Sequence, residues 1–327
     1  MSSHSELSPS SSDRWLTCPA SVPHNRDVED TGSDAAREGT AAHMLAEQAY
    51  LDGRGSADHH LGDSIEVEPD DPEQPVAVFV VNKEMVFGVN KWLGELKAIL
   101  DDNPESVALI EQKLDLSSVI RPGESGTSDA VIPTAKVLHV FDFKYGYDVV
   151  LATRPQLKLS ALGALDALGW GYEFDEVHTH IVQPRASNYD TARFTVDQLE
   201  DFRKYVHSRV ALIDTDDAPY QYSEHGCKYC AIKESCEARA RGAMEDVANV
   251  FPVASLDCTS SVPPGEVTDV EPIPAASLSN DQLAHVLTVR KAVESLFDDC
   301  ASEALRRSKS GEKIPGFKVV TGKGSRS

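Results

Sequence analysis

Basic residues are scarce in this chain: 31 Lys and Arg stand against 53 Asp and Glu, giving a net charge of −22 and an isoelectric point near 4.8. Taken as an average, this argues against a nucleic-acid partner, because affinity for DNA rests largely on Lys and Arg neutralising phosphates. No run of eighteen apolar residues occurs, which excludes a membrane-spanning helix on length. The opening "MSSHSELSPSSSDRW" lacks the basic n-region and apolar h-region of a secretory signal. The expectation is therefore a cytoplasmic protein with no membrane partner. Internal repeats are missing too, and no four cysteines lie close together in the chain.

What is present qualifies the first exclusion. Much of the acid sits in evident loops such as "GDSIEVEPDDPEQP" (62–75). By contrast, the last 22 residues hold seven basic residues (Arg306, Arg307, Lys309, Lys313, Lys318, Lys323 and Arg326) against Glu312 alone. Average charge does not exclude DNA; it requires any footprint to be local. At 327 residues, 41% hydrophobic and 26% charged, the chain has the composition of a globular protein with a sizeable core.

Residues 1–13 are Ser-rich and read as a flexible lead-in, followed by a main domain over 14–240. "AAREGTAAHMLAEQAYL" (35–51) is a helix with an apolar stripe at Ala42, Leu45, Ala46 and Ala49. An acidic loop spans 52–75. A long helix follows, marked by Val86, Val89, Leu93, Leu96 and Leu100. Three extended segments come next, over 106–116, 126–133 and 136–146, then a helix (154–170), a strand (176–184) and a helix at about 196–213. Residues 241–278, rich in Pro, Ser, Val and Thr, read as a linker. The remainder, 279–327, is a last helix opening at "SND", with Leu283, Val286, Leu287, Val293, Leu296, Phe297 and Cys300 on one side, and a basic tail.

The strand "LHVFDFKYG" (138–146) poses a chemical problem. Successive side chains alternate faces, so Asp142 and Lys144 share one face and Phe141 and Phe143 the other. The preceding strand "GTSDAVI" joins it through a very short turn, which predicts an antiparallel hairpin with Asp129 able to meet Asp142. Two carboxylates and an amine converging in an apolar setting are costly, since like charges and desolvation oppose ionisation. A plain ion pair on a half-exposed strand would account for a lone D-x-K. The spacing "GTSD-x12-DFK" favours a divalent cation instead, with Mg2+ or Mn2+ suited to hard oxygen ligands. Lys144 would then orient or deprotonate a water beside the ion and stabilise charge developing on a phosphate.

Other residues join this group. His43 and Glu47 are four apart on one helix face, and His43 can ligate the same ion. Glu111 interrupts the apolar run "VALIEQKL", either as an acid supporting the ligands or as the exposed side of an edge strand. Gln156 opens the helix after "DFKYG", where it can orient a substrate phosphate or Lys144, or simply face solvent.

The second constellation is "GCKYCAIKESC", Cys227-x2-Cys230-x5-Cys236. The spacing is too tight for unrelated thiols, and in an intracellular protein it points to metal. Zinc and cubane iron–sulfur clusters both want four ligands. Cys18, beside Pro19, is the best candidate for the fourth, and His225 keeps a Cys3His zinc site open. Cys258 and Cys300 read as structural.

Together, "EGTAAH", "GTSDA", "DFKYG" and "QLKLSALGA" resemble the PD-(D/E)XK nuclease superfamily, in particular the RecB-like and Cas4-like exonucleases and their phage-type DUF2800 branch. The resemblance covers roughly residues 5–240 and extends more weakly to "IPGFKVVTGKGSR". It implies an α/β (α+β) protein with a restriction-endonuclease-like core: helix, three strands, helix, strand. His43, Asp129 and Asp142 would be the metal ligands, Lys144 the catalytic lysine and Gln156 the glutamine of the following helix. Two departures stand out: Asp142 replaces the commoner Glu, and the leading "PD" is Ser128–Asp129. The resemblance also favours a [4Fe–4S] cluster on Cys18, Cys227, Cys230 and Cys236 over Zn2+. The implied activity is Mg2+- or Mn2+-dependent exonucleolytic hydrolysis of DNA, at ends or in single strands, in phage or viral recombination, repair or replication. A recombination protein as partner and a homo-oligomer are within the family's range, with the host cytoplasm as the setting. The alternatives are a non-catalytic DNA-binding protein that keeps the fold, and a zinc-stabilised scaffold.

Overall fold

A computed structural model describes residues 6–26, 28, 33–69, 74–250, 279–315 and 317. Two compact units divide the chain, Met1–Ala218 and Pro219–Ser327. Among the described residues no helix is long and apolar enough to cross a membrane.

From residue 6 the described part of the segment expected as a flexible lead-in (1–13) is ordered. Leu7 is fully buried, a single 3-10 turn covers Pro9–Ser11, and α1 runs Ser12–Thr17. Trp15 is also fully buried and its indole Nε1 donates to Ser8 O at 3.0 Å. Two large side chains fixed in a core outweigh the polar run between them. After α2 (Ser21–Asn25) comes α3 (Asp34–Leu51), whose N-cap Ser33 accepts from Ala36 N at 3.1 Å.

The acidic segment is not all loop. Ile65 and Val67 are buried alternately in β1 (Ser64–Val67), which pairs antiparallel with β2 (Ala77–Val80). A four-residue alternation inside an acidic run is too short to stand out in sequence. Helix α4 (Lys83–Asp102) follows, capped by Asn82.

A five-stranded sheet organises the unit in the order β3 (Leu109–Asp115), β4 (Ser125–Pro133), β5 (Val137–Phe143), β6 (Glu176–Gln183) and β7 (Asn188–Thr195). The β3–β4–β5 ladders are antiparallel, β5–β6 is parallel and β6–β7 antiparallel, so the sheet is mixed. Helix α5 (Pro155–Leu168) makes the crossover that a parallel pair requires. Strand β7 was not read from sequence, because "NYDTARFT" is an edge strand without apolar alternation. Thr195 ends it and caps α6 (Val196–Val210) through a capping box with Gln198.

Each face of the sheet has its own core. Phe141, Phe143, Ile132 and Val182 pack with Ala42 and Leu45 of α3 and Met85, Val89 and Trp92 of α4. On the other face Leu114, Val131, Leu138 and Val140 pack with Leu159 and Leu162 of α5, Leu199 of α6, and Leu7 and Trp15. Gly163 lets α5 approach closely: a Cβ there would lie 2.7 Å from Leu116 Cδ2.

The second unit holds α7 (Glu224–Lys228), α8 (Glu237–Val250) and α9 (Asn280–Lys309). Helix α8 runs ten residues into the segment read as a linker from 241; residues 251–278, with Cys258, lie outside the described ones. Among the described residues of α9 the buried positions are Val289 and Asp299, the latter an ion pair with buried Arg239 of α8. Leu287, Phe297 and Cys300, expected on the apolar side, are exposed. A buried salt bridge sets the helix face here, which hydrophobic periodicity cannot register.

Candidate functional site

The two ladders flanking β4 create a row of acids. Ile110 pairs with Ala130 and Gln112 with Ser128, which sets Glu111 opposite Asp129. The β4–β5 ladder ends at the Ala130–Phe141 pair, with Asp129 and Asp142 the next residue on each strand. Three carboxylates on three neighbouring strands thus stand side by side. Glu111 itself takes φ +48°, a left-handed conformation that a non-glycine residue adopts at a cost of about 1–3 kcal/mol. The ladder skips Glu111 and Asp129 at that point.

Helix α3 closes the row from the side. His43 Nδ1 lies 3.4 Å from Asp129 Oδ1 and 4.0 Å from Glu111 Oε1. Potential ligand atoms of His43, Glu111 and Asp129 all lie within 4.8 Å of one another. Asp129 Oδ2 accepts from Phe143 N at 2.6 Å, which ties the side chain to the end of β5.

Asp142 and Lys144 share a face as expected, with Lys144 Nζ 3.0 Å from Asp142 Oδ1. Gln156 Nε2 donates to the same Asp142 oxygen at 3.0 Å, and Lys144 Nζ donates to Gln156 Oε1 at 3.4 Å. The triangle places Gln156 beside the amine and the acid and keeps it out of bulk solvent. Asp142 Oδ2 is left buried without a hydrogen-bond partner. Such an acceptor costs about 1–3 kcal/mol, and more when charged, unless something binds it.

Electrostatics follow from crowding. Burial raises the Asp142 pKa, and Asp129 adds to the rise against the opposing pull of Lys144. Burial followed by Asp129 pushes the Glu111 carboxyl up to about 7, with Glu47 adding its charge. Burial disfavours the His43 imidazolium, yet Asp129 outweighs it and His43 titrates above the ordinary value. Asp129, opposed by burial but paired with His43, lies below its ordinary value. Burial also opposes the Lys144 ammonium, but Asp142 and Asp129 prevail and raise its pKa. The amine is therefore held protonated, suited to donating hydrogen bonds and stabilising negative charge.

Of the residues singled out in sequence, His43 meets Asp129, and Asp142 meets Lys144 and Gln156, while the ligand atoms that converge are those of His43, Glu111 and Asp129, without Asp142. Glu111, expected as a supporting acid or an exposed edge residue, stands with His43 and Asp129 in a group that could hold a metal ion. Glu47 acts on it by charge alone among the described interactions. Arg185 was missed. Its guanidinium holds both oxygens of Glu38 at 2.8 Å, reaches Glu84 Oε1 at 3.2 Å and stacks over the Tyr145 ring at 3.8 Å. It thereby ties α3 and α4 to the segment just after Lys144, and no motif in the sequence signals it.

The cysteines divide between units. Cys18 follows α1 in the first, while Cys227 on α7, the buried Cys230 and Cys236 before α8 belong to the second.

A family model described as "Protein of unknown function (DUF2800)" matches residues 4–327. The chain belongs to the DUF2800 family. This DUF2800 chain is also loosely similar to a solved structure titled "Crystal structure of SSO0001". The match has 14% identity, covers 70% of this chain and 84% of that one, and gives a TM-score of 0.31.

Proposed function

We propose that this DUF2800 chain is a metal-dependent DNA exonuclease of the PD-(D/E)XK type, acting on DNA ends or single strands in phage or viral recombination, repair or replication. The observation that carries the reading is Asp142 Oδ2, a buried carboxylate oxygen without a partner, in a row with Asp129 and Glu111. An oxygen-rich donor set joined by one imidazole suits Mg2+ or Mn2+. Asp142, Asp129, Glu111 and His43 would hold the ion, which supplies Lewis-acid polarisation of the scissile phosphate.

The remaining steps belong to the protein's own groups. The Lys144 ammonium donates to the attacking water and to the phosphoryl oxygen on which charge develops. Gln156 fixes the Lys144 amine against Asp142, so that the donor is oriented before substrate arrives. Phe141, Phe143 and Trp92 beneath the row limit water and strengthen each charge–charge interaction.

The iron–sulfur assignment of Cys18, Cys227, Cys230 and Cys236 rests on the family resemblance. Brown colour with iron and acid-labile sulfide in the purified protein would bear it out; a colourless zinc protein would replace it. For the activity, purified protein with Mg2+ or Mn2+ should degrade 5′- or 3′-labelled DNA, and Asp142→Ala or Lys144→Ala should not. DNA bound but left intact by the wild type with both metals, on every end structure, would sink the proposal.

A further inference from the structure

A second group of ligand-type side chains lies on the opposite face of β5. The parallel register pairs His139 with His178 and Phe141 with His180, so three imidazoles share one face of two adjacent strands. Potential ligand atoms of all three fall within 4.8 Å of one another. His139 Nδ1 and His180 Nε2 face each other at 3.0 Å. Two nitrogens bound to one tetrahedral ion at about 2.0–2.1 Å would stand roughly 3.3 Å apart. The pair is already close to the spacing an ion imposes.

Outer partners fix the rings as they do around bound metals. The other nitrogen of His180, Nδ1, meets Tyr189 Oη at 3.1 Å and Thr191 Oγ1 at 3.4 Å. That contact leaves Nε2 to offer its lone pair toward His139. His178 Nε2 is 2.8 Å from Glu176 Oε2, which leaves Nδ1 available. Phe141 stacks on His180 with centroids 4.2 Å apart and holds it from beneath.

We propose that His139, His178 and His180 form a second metal site, for a zinc-class divalent ion, separate from the carboxylate row. An imidazole-only donor set favours zinc over Mg2+ or Mn2+. Three protein ligands leave a fourth position for water or another small ligand. His178 is only partly buried, and half-exposed Tyr189, whose hydroxyl meets His180, lines a hollow of about 330 Å³ with Phe87, Lys91 and Glu95. His139 precedes Asp142 by three residues, roughly 10 Å along the strand and on its other face. The proposal does not depend on the nuclease reading.

The test uses the full chain, stripped by chelator and reloaded with Zn2+. Zinc per chain is measured by elemental analysis and its ligands by X-ray absorption. The wild type should show imidazole scattering at about 2.0 Å. His178→Ala should lose one zinc equivalent or weaken it by about 100-fold, and Glu176→Gln by about 10-fold. The zinc-free variant should still melt cooperatively at neutral pH, which separates loss of the site from loss of the fold. Zinc scattering from sulfur alone in the wild type overturns the proposal without any variant. So does an imidazole signal of undiminished stoichiometry in His178→Ala, which would belong elsewhere, His225 included.

Discussion

The two faces of β5 carry clusters of opposite chemistry. One face, at the strand's end, sets Asp142 beside Asp129 and Glu111, three acids with one imidazole and one amine around them. The other sets His139 against His178 and His180 with no acid among the three. Crowding has opposite effects in the two. In the acid row it raises Asp142 above its ordinary value and pushes Glu111 up to about 7. Among the imidazoles it lowers His139 and His180, so the rings shed protons that they would ordinarily hold. The imidazole pair thereby sheds charge, whereas the acid row balances it, with His43, Lys144 and Asp129 favoured in their charged forms.

Substitution at the acid row should separate the clusters most sharply. Asp129→Ala removes an oxygen ligand and the partner of His43. Mn2+-dependent DNA cleavage should fall by roughly 100- to 1,000-fold or more. Zinc content at the imidazoles should be unchanged, as elemental analysis would show. Equal losses at both would mean that the two clusters are one coupled unit.

The pH dependence of metal binding should differ next. Glu111 keeps its proton to about 7, and that proton must leave before the carboxylate can ligate. Mn2+ affinity, followed by calorimetry, should rise between pH 6 and 8, and Glu111→Gln should flatten the rise. His139 and His180 are already neutral across that window, so their titration adds no such slope to zinc affinity.

Stability of the metal-free protein should instead report the imidazoles, and should fall in acid. The folded values for His139 and His180 lie below the unfolded one, so the unfolded state binds more protons as pH falls beneath about 6.5. Stability is lost from there toward pH 4, which denaturant melts at stepped pH would register. Replacing His178 with Ala should ease the loss, because its charge adds to the depression of both neighbours.

Smaller effects should come from groups that only tune. Tyr189→Phe removes the hydroxyl beside His180 Nδ1 and should weaken zinc by about 10-fold at most. Glu47→Gln removes one charge acting on Glu111. It should lower the midpoint of the Mn2+ pH profile slightly and leave zinc untouched.

Much of this was legible in the chain. Alternation in "LHVFDFKYG" set Asp142 and Lys144 on one face, the short turn after Pro133 set the hairpin, and three- and four-residue steps marked α3 and α4. Those are local rules of backbone geometry. Edge strand β7 escaped because its polar residues carry no alternation, and α9 presents a face chosen by the buried Arg239–Asp299 pair. Glu111 was ambiguous for a similar reason. Its meaning depends on the β3–β4 register, which no residue near it encodes alone.

The sequence by itself determined which side chains share a face, because pleat and helical pitch are fixed for every residue. Only the tertiary structure decided which faces meet. Register drew Glu111, Asp129 and Asp142 into one row, and the parallel β5–β6 pairing, made through α5, brought His139 to His178 and His180. The "HTH" of β6 has its two imidazoles on one side from alternation alone, yet the third ligand lies about forty residues upstream. Strand pairing is a contact between distant segments, and its register is set by the packing of whole faces against α3, α4 and α5.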